Sequence, residues 1–216
     1  VQYAPPTSPW LVVVHQDRDL LVIDKPTGLL SVPGRQPGWQ DSAATRVAAD
    51  HAHSYAVHRL DMDTSGLLVF ALRRKAERAL KEAFRLRRVD KRYLARVWGH
   101  PPDSGRVELP LTRQGGLPPR NVVDPAGRPA VTDFRVLQRD ADSAMVELHP
   151  RTGRSHQLRV HMQALGHPIL GDRLYAPPDV QARVPRLMLH AWRLRLPHPY
   201  SDAPLELEAP CPFAHT

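Results

Sequence analysis

The segment His58-Arg59-Leu60-Asp61-Met62-Asp63-Thr64-Ser65-Gly66-Leu67-Leu68 places two carboxylates, a guanidinium, two hydroxyls and a glycine in one short stretch. Before it runs an alternating sequence, SYAVH, and after it an apolar one, LLVFAL; both read as strands. A carboxylate that leaves a strand and precedes Thr64-Ser65-Gly66 can serve as nucleophile, general base, metal ligand or turn former. Taken alone, Asp61 fits the turn former best, because Asp is common in loops.

A second constellation changes that balance. RTGRSHQLRVH brings Arg151, Arg154, His156, Arg159 and His161 together around a helix start. At helical spacing Leu158 and Met162 share the apolar face, and Arg159 points to one side of it. A guanidinium at the edge of a buried face needs a carboxylate partner, because its desolvation is otherwise uncompensated. Asp61 is the candidate, and such a pair would hold it ionised, as a nucleophile requires. Metal chemistry is the rival use of the histidines. His51 and His53 are two apart, and His156 and His161 five apart, so neither pair has the four-residue spacing of two ligands on one helical face. No GxGxxG, phosphate-binding loop or G-x-S-x-G elbow is present, which leaves nucleotide cofactors and serine hydrolysis without support.

The chain of 216 residues has a net charge of +8, and Arg supplies most of its 30 basic residues. The planar Arg fork suits phosphate and stacked bases, so the balance points to an anionic partner such as nucleic acid. GC-rich coding bias, which raises Arg together with the 23 prolines, is the competing explanation. A single cysteine, Cys211, excludes an intramolecular disulfide framework and fits a reducing cytoplasm. No apolar run approaches a membrane span and the start does not resemble a signal peptide, so a cytoplasmic protein is expected.

The elements that must hold these residues follow from pattern. WLVVVHQDRDLLVIDKPTGLLSVPG reads as two strands joined at Asp17-Arg18-Asp19, then a loop punctuated by Pro and Gly. DSAATRVAADH is a short helix with Asp41 or Ser42 as N-cap. Lys75 to Arg88 is the clearest helix; opposite its apolar face, Arg74, Arg78, Lys81, Arg85 and Arg88 form a basic stripe that reads as a solvated face. Residues 101–130 carry many Pro and Gly and little periodicity, and are expected to be an irregular insertion. TDFRVLQRD and SAMVELHP form a hairpin, a helix ends at Gly166, and RLMLHAWRLRLPHP and LELEAP are closing strands. The expected class is α+β with a mixed, largely antiparallel sheet and flanking helices and loops.

These segments resemble, in order, the motifs of the RluA-type pseudouridine synthases. HRLDMDTSGLL resembles their catalytic motif, VVVHQDRDLLVIDKPTGLLSVPG their N-terminal motif, KRYLARVWG their tyrosine strand, and RTGRSHQLRVHMQALGHPILGDRLY their arginine motif; LMLHAWRLRLPHP matches the closing segment. The resemblance spans about Trp10 to Pro199. His58 at the head of the catalytic motif favours the RluA branch over the RsuA branch, which typically has Gly there.

The resemblance implies one catalytic domain over residues 1–216, with a cleft across the sheet and no S4 RNA-binding domain. It implies Asp61 as nucleophile, Tyr93 stacked on the target base and assisting removal of the C5 proton, and Arg159 paired with Asp61. Leu158 would pack near the base, and His58, Arg59, Arg151, Arg154 and His156 are candidates for RNA contact. The expected partner is a stem-loop of ribosomal or transfer RNA, bound by a monomer that uses no cofactor and no metal. A carboxylate can drive the isomerisation by attack at C1′, by addition at C6, or by taking the 2′ proton to give a glycal. The target must leave the stack, and Arg59 is placed either to fill the gap or to make a salt bridge at the core edge. An idle RNA-binding module and a metal-dependent nuclease are the alternatives; Asp61, Tyr93 and Arg159 together argue against the first.

Overall fold

A computed structural model describes residues 3–116 and 118–214. In chain order the elements are β1 (Val13–Gln16), β2 (Leu20–Lys25), α1 (Ala43–Asp50), β3 (Tyr55–Ala56), β4 (Ser65–Ala71), α2 (Arg74–Arg85), β5 (Asp90–Trp98), β6 (Ser104–Glu108), β7 (Leu111–Gln114), β8 (Arg120–Val123), β9 (Val131–Arg139), β10 (Ser143–Pro150), α3 (Gln157–Ala164), α4 (Pro178–Gln181), β11 (Leu189–Pro197) and β12 (Pro204–Glu208). The class is α+β, as the strand-rich pattern predicts. Two compact units divide the chain: Val1–Lys91 with Ala191–Cys211, and Arg92–His190 with Pro212–Thr216.

In the first unit the strand order is β1-β2-β4-β11, with β3 also on β4 and β12 on β11. β1–β2, β2–β4, β3–β4 and β11–β12 pair antiparallel. Every residue of β4 is buried, which is why it reads as an apolar run and not as an alternating one. Helix α2 lays Ala76, Leu80 and Ala83 against Leu20, Val22, Leu67, Val69, Leu194 and Leu196. It stops at Arg85, three residues before the end expected from periodicity. The stop is a left-handed cap: Arg87 has φ +58, its N–H donates to the Phe84 carbonyl, and the Arg88 N–H donates to the Ala83 carbonyl. Gly usually takes this position, so an Arg there gives no warning in the sequence.

The basic stripe on α2 is largely matched by acids. Arg74 and Lys81 both meet Glu77, Arg85 meets Glu82, and Arg88 meets Asp202. Arg78 makes no ion pair among the described residues. Helix α1 begins at the expected N-cap, Ser42, which forms a capping box with Thr45. Its Arg46 is buried, forks onto Asp41, and donates to the carbonyls of Pro6 and Trp10, tying down the segment before β1.

In the second unit β5, β10, β9 and β6 lie in that order, all antiparallel, and β7–β8 forms a separate hairpin. The β9–β10 hairpin matches its prediction. Residues 101–130 do not: they contain β6, β7 and β8 and are ordered by pairing. Their apolar content is low because β6 and β8 each expose residues at both ends, so hydrophobic alternation never develops. Leu117 lies outside the described residues. Short α4 was not anticipated; Pro178 opens it.

Candidate active site

Asp61 stands on the turn between β3 and β4, half-buried, and the turn is built from backbone held at several points. Ser31 Oγ donates to the Leu60 carbonyl at 2.7 Å and accepts the Leu60 N–H at 2.9 Å. Lys25 Nζ donates to the Met62 carbonyl at 2.9 Å, and also to the carbonyls of Pro26 and Leu29. The Gly28 N–H reaches the same Met62 oxygen, and Thr27 Oγ1 donates to the Asp63 carbonyl at 2.7 Å. The Thr64 N–H closes the turn on the Asp61 carbonyl. The segment Lys25 to Ser31 is therefore a cradle whose polar groups grip residues on both sides of Asp61. Downstream, Gly66 has φ +110, and a Cβ there would lie 2.3 Å from the Ala191 carbonyl oxygen. Glycine is required where β4 leaves the turn directly against that backbone.

Lys25 is fully buried, with its ammonium spread over three carbonyls. Lys25→Met keeps most of the stem and strips the donors from buried acceptors. We expect a stability loss of about 2–4 kcal/mol in urea unfolding with reduced turnover. A loss below about 0.5 kcal/mol would mean that the cradle does not depend on the ammonium.

His58 opens the same turn. Its Nε2 accepts the Val69 N–H at 3.0 Å, and its ring stacks on Phe84 with centroids 4.7 Å apart. Burial, and then the nearby Lys91 charge, pull its pKa down to about 3, so the ring is neutral. Arg59 is exposed and makes no hydrogen bond or ion pair among the described residues.

In the second unit Tyr93 lies on β5, opposite Leu148 of β10. Leu158 and Arg159 are buried on α3. The sequence puts forward Asp61 as the carboxylate for Arg159; within its own unit that guanidinium meets Asp172, Nε to Oδ2 at 2.8 Å and Nη2 to Oδ1 at 2.7 Å. Asp172 also accepts the N–H groups of Leu174 and Tyr175, and Arg159 lies over the Tyr175 ring. Asp172 was overlooked in the sequence. A carboxylate between the small-residue turn at Gly171 and the apolar Leu174-Tyr175, inside the arginine motif, was the available signal.

The turn into α3 is equally fixed. His156 adopts φ +56, and its Nδ1 lies 2.7 Å from the Tyr175 hydroxyl. The Gln157 side chain accepts from Thr152 and the Arg154 N–H, and donates to Val131 and Thr132. Arg151 pairs with Asp133, which also takes Arg106; burial opposes these partners, yet the carboxyl is lowered to about 2, with Arg106 the largest cause. Arg154 Nε donates to the Pro129 carbonyl. His161 sits between Thr132 and the Leu109 carbonyl, and burial lowers its pKa despite that carbonyl. His156 and His161 are thus committed to different protein partners.

A cluster with metal-ligand chemistry lies elsewhere, at Asp17, Asp19 and His198. There His198 Nδ1 accepts the N–H groups of Tyr200 and Ser201, so the proton sits on Nε2, which donates to Asp17. A ring committed in that way has no lone pair turned to an ion.

The sequence comparisons converge on one family. A sequence model described as RNA pseudouridylate synthase matches residues 19–164, a span that holds Asp61, Tyr93 and Arg159. The chain belongs to the RNA pseudouridylate synthases. It is an RNA pseudouridine synthase of the RluA type: it is 51% identical over 214 residues to the dual-specificity RNA pseudouridine synthase RluA of Escherichia coli strain K12, covering 98% of each chain. The protein of the same name from Pasteurella multocida is 50% identical over 216 residues, with 99% of each covered. Among solved structures, human RNA pseudouridylate synthase domain containing 1 superposes with a TM-score of 0.82 at 31% identity, over 97% of this chain and 87% of that one. Human RNA pseudouridylate synthase domain containing 4 gives 0.76 at 30% identity, over 94% and 89%. In this synthase the cradle Lys25 to Ser31 and the turn it grips both fall inside the family match.

Proposed function

We propose that this synthase converts uridine to pseudouridine in both ribosomal and transfer RNA, with Asp61 as nucleophile. The breadth rests on full-length relatives at about half identity whose names carry dual specificity. The nucleophile rests on the turn of Asp61, whose neighbours on both sides are gripped through their backbones, so a half-buried carboxylate is presented with little freedom to move.

The reaction breaks the bond from N1 to C1′, turns the uracil, joins C5 to C1′, releases the C5 proton and adds one at N1, which lost its bond to the sugar. Every atom is retained, and the side chains suffice as reagents: no cofactor or metal takes part in this reading. Tyr93 stacks on the base, Leu158 packs near it, and Arg159 is the cation of the catalytic set. Arg59 enters the RNA helix as the target flips out, a role suited to an exposed guanidinium that makes no hydrogen bond or ion pair among the described residues. Arg151, Arg154 and His156 border the RNA. The protein works as a monomer in the cytoplasm, with residues 1–216 as a single catalytic domain. No helix among the described residues is long and apolar enough to cross a membrane.

Incubating the protein with unmodified ribosomal and transfer RNA, then mapping pseudouridine at nucleotide resolution, tests the substrate range. New pseudouridine is expected in both RNAs, at loop nucleotides of similar sequence. Modification of one RNA class alone would overturn dual specificity and leave the isomerisation standing.

A further inference from the structure

We infer that His58 is a positioning residue: its imidazole replaces a strand's backbone acceptor at Val69 and so fixes the point where the chain turns toward Asp61. The inference rests on the reading of Asp61 as nucleophile and goes beyond it.

β3 pairs with β4 at Tyr55 opposite Ala71 and Ala56 opposite Phe70, and there the pairing ends. An antiparallel strand continuing from Ala56 would reach Val69 next. The chain departs instead, and β11 approaches β4 further back, where Ala191 faces Gly66. The buried Val69 N–H lies one residue past the last partner that β3 supplies, and a buried backbone N–H is seldom left without an acceptor. His58 Nε2 accepts it at 3.0 Å. An acceptor at Nε2 puts the proton of the neutral ring on Nδ1.

The ring cannot swing away easily, because Phe84 of α2 stacks on it at an interplanar angle of 22°. Residues 60, 62 and 63 are gripped through their backbones by the cradle, whereas residue 58 is gripped through its own side chain by β4. Arg59 lies between these two anchors with its side chain exposed, so His58 sets the course of the chain through Arg59 to Asp61. A ring occupied on its edge by Val69 and on its face by Phe84 takes this role in place of the RNA contact expected from its position in the motif.

Two variants separate the possibilities. His58→Phe keeps a ring to stack on Phe84 and removes the acceptor, whereas His58→Gln restores an acceptor at a similar reach. On a stem-loop substrate we expect Phe to lower kcat by about tenfold or more with KM within about twofold, and Gln to recover kcat to within about threefold of the parent. Hydrogen exchange of residues 65–71 is expected to rise in the Phe variant and to stay at the parent level in the Gln variant. A Phe variant within about threefold of the parent kcat, a Gln variant that falls as far as Phe, or a rise in KM alone in both would overturn the inference. Should the Phe variant not fold, Gln decides alone: kcat within about threefold supports the role, and any larger loss overturns it. Activity retained in Asp61→Asn would strike the nucleophile reading, and the comparison at His58 would still be read independently of it.

Discussion

Asp61→Asn is expected to abolish pseudouridine formation, by about a thousandfold or more, because an amide cannot supply the nucleophilic charge. The change is nearly isosteric. The hydrogen bonds that grip the turn run through the backbones of Leu60, Met62 and Asp63, so the variant should keep its fold and its affinity for RNA. Release of tritium from RNA labelled at uridine C5 gives the rate, and a filter-binding titration gives the affinity. Activity within about tenfold of the parent would remove Asp61 from the nucleophile's role. Loss of binding along with activity would make the carboxylate part of RNA recognition instead.

The second large effect is expected at the Arg159–Asp172 pair. Its side chains are 4% and 0% exposed, and the contact is bidentate. Removing one partner strands a buried charge, which typically costs about 3–5 kcal/mol. Asp172→Asn and Arg159→Met should each lower stability by that order in urea unfolding, and each should suppress turnover. Asp172→Asn also weakens the acceptor shared by the Leu174 and Tyr175 N–H groups, so the Tyr175 ring beneath Arg159 loses its footing. The double variant Arg159→Met/Asp172→Leu separates structure from chemistry, since an apolar replacement of a buried pair can restore stability. Partial recovery of stability without recovered turnover is expected, short of the parent because the Leu174 and Tyr175 N–H groups lose their acceptor. Full activity in that double variant would reduce Arg159 to a packing residue.

Much of this was legible from pattern. The strands flanking Asp61, the Ser42 cap of α1, the β9–β10 hairpin and the closing pair β11–β12 all carry strong local signals: apolar runs, a capping hydroxyl, turn residues between alternating segments. Errors fell where local signals are weak or borrowed. Helix α2 ended early because Arg87 took a left-handed cap that Gly usually fills. Residues 101–130 looked irregular because their strands are short and exposed; β6 is held by β9, distant in sequence, and β7 and β8 hold each other in a hairpin. The basic stripe of α2 read as a solvated face, and its arginines are indeed largely exposed; only the fold shows that Asp202, far along the chain, supplies one of its counter-charges.

The sequence by itself determined the family, the order of its motifs and the residue types that can do the chemistry, because these are properties of short segments whose composition is specific. It also located Asp61 on a turn, although Ser65 and Gly66, read there as loop, are the first residues of β4. What the tertiary structure alone decided is what holds each group. Lys25 reaches Met62 across 37 residues, and Arg46 reaches Pro6 across 40. His58 answers a strand amide 11 residues on, and Arg159 meets Asp172. Each of these side chains is polar or charged, and all but Arg159, set by its spacing at the edge of a buried face, look like surface in the sequence. Each is drawn inward because a buried donor or acceptor elsewhere in the chain requires a partner, and that requirement exists only once the backbone has folded around it.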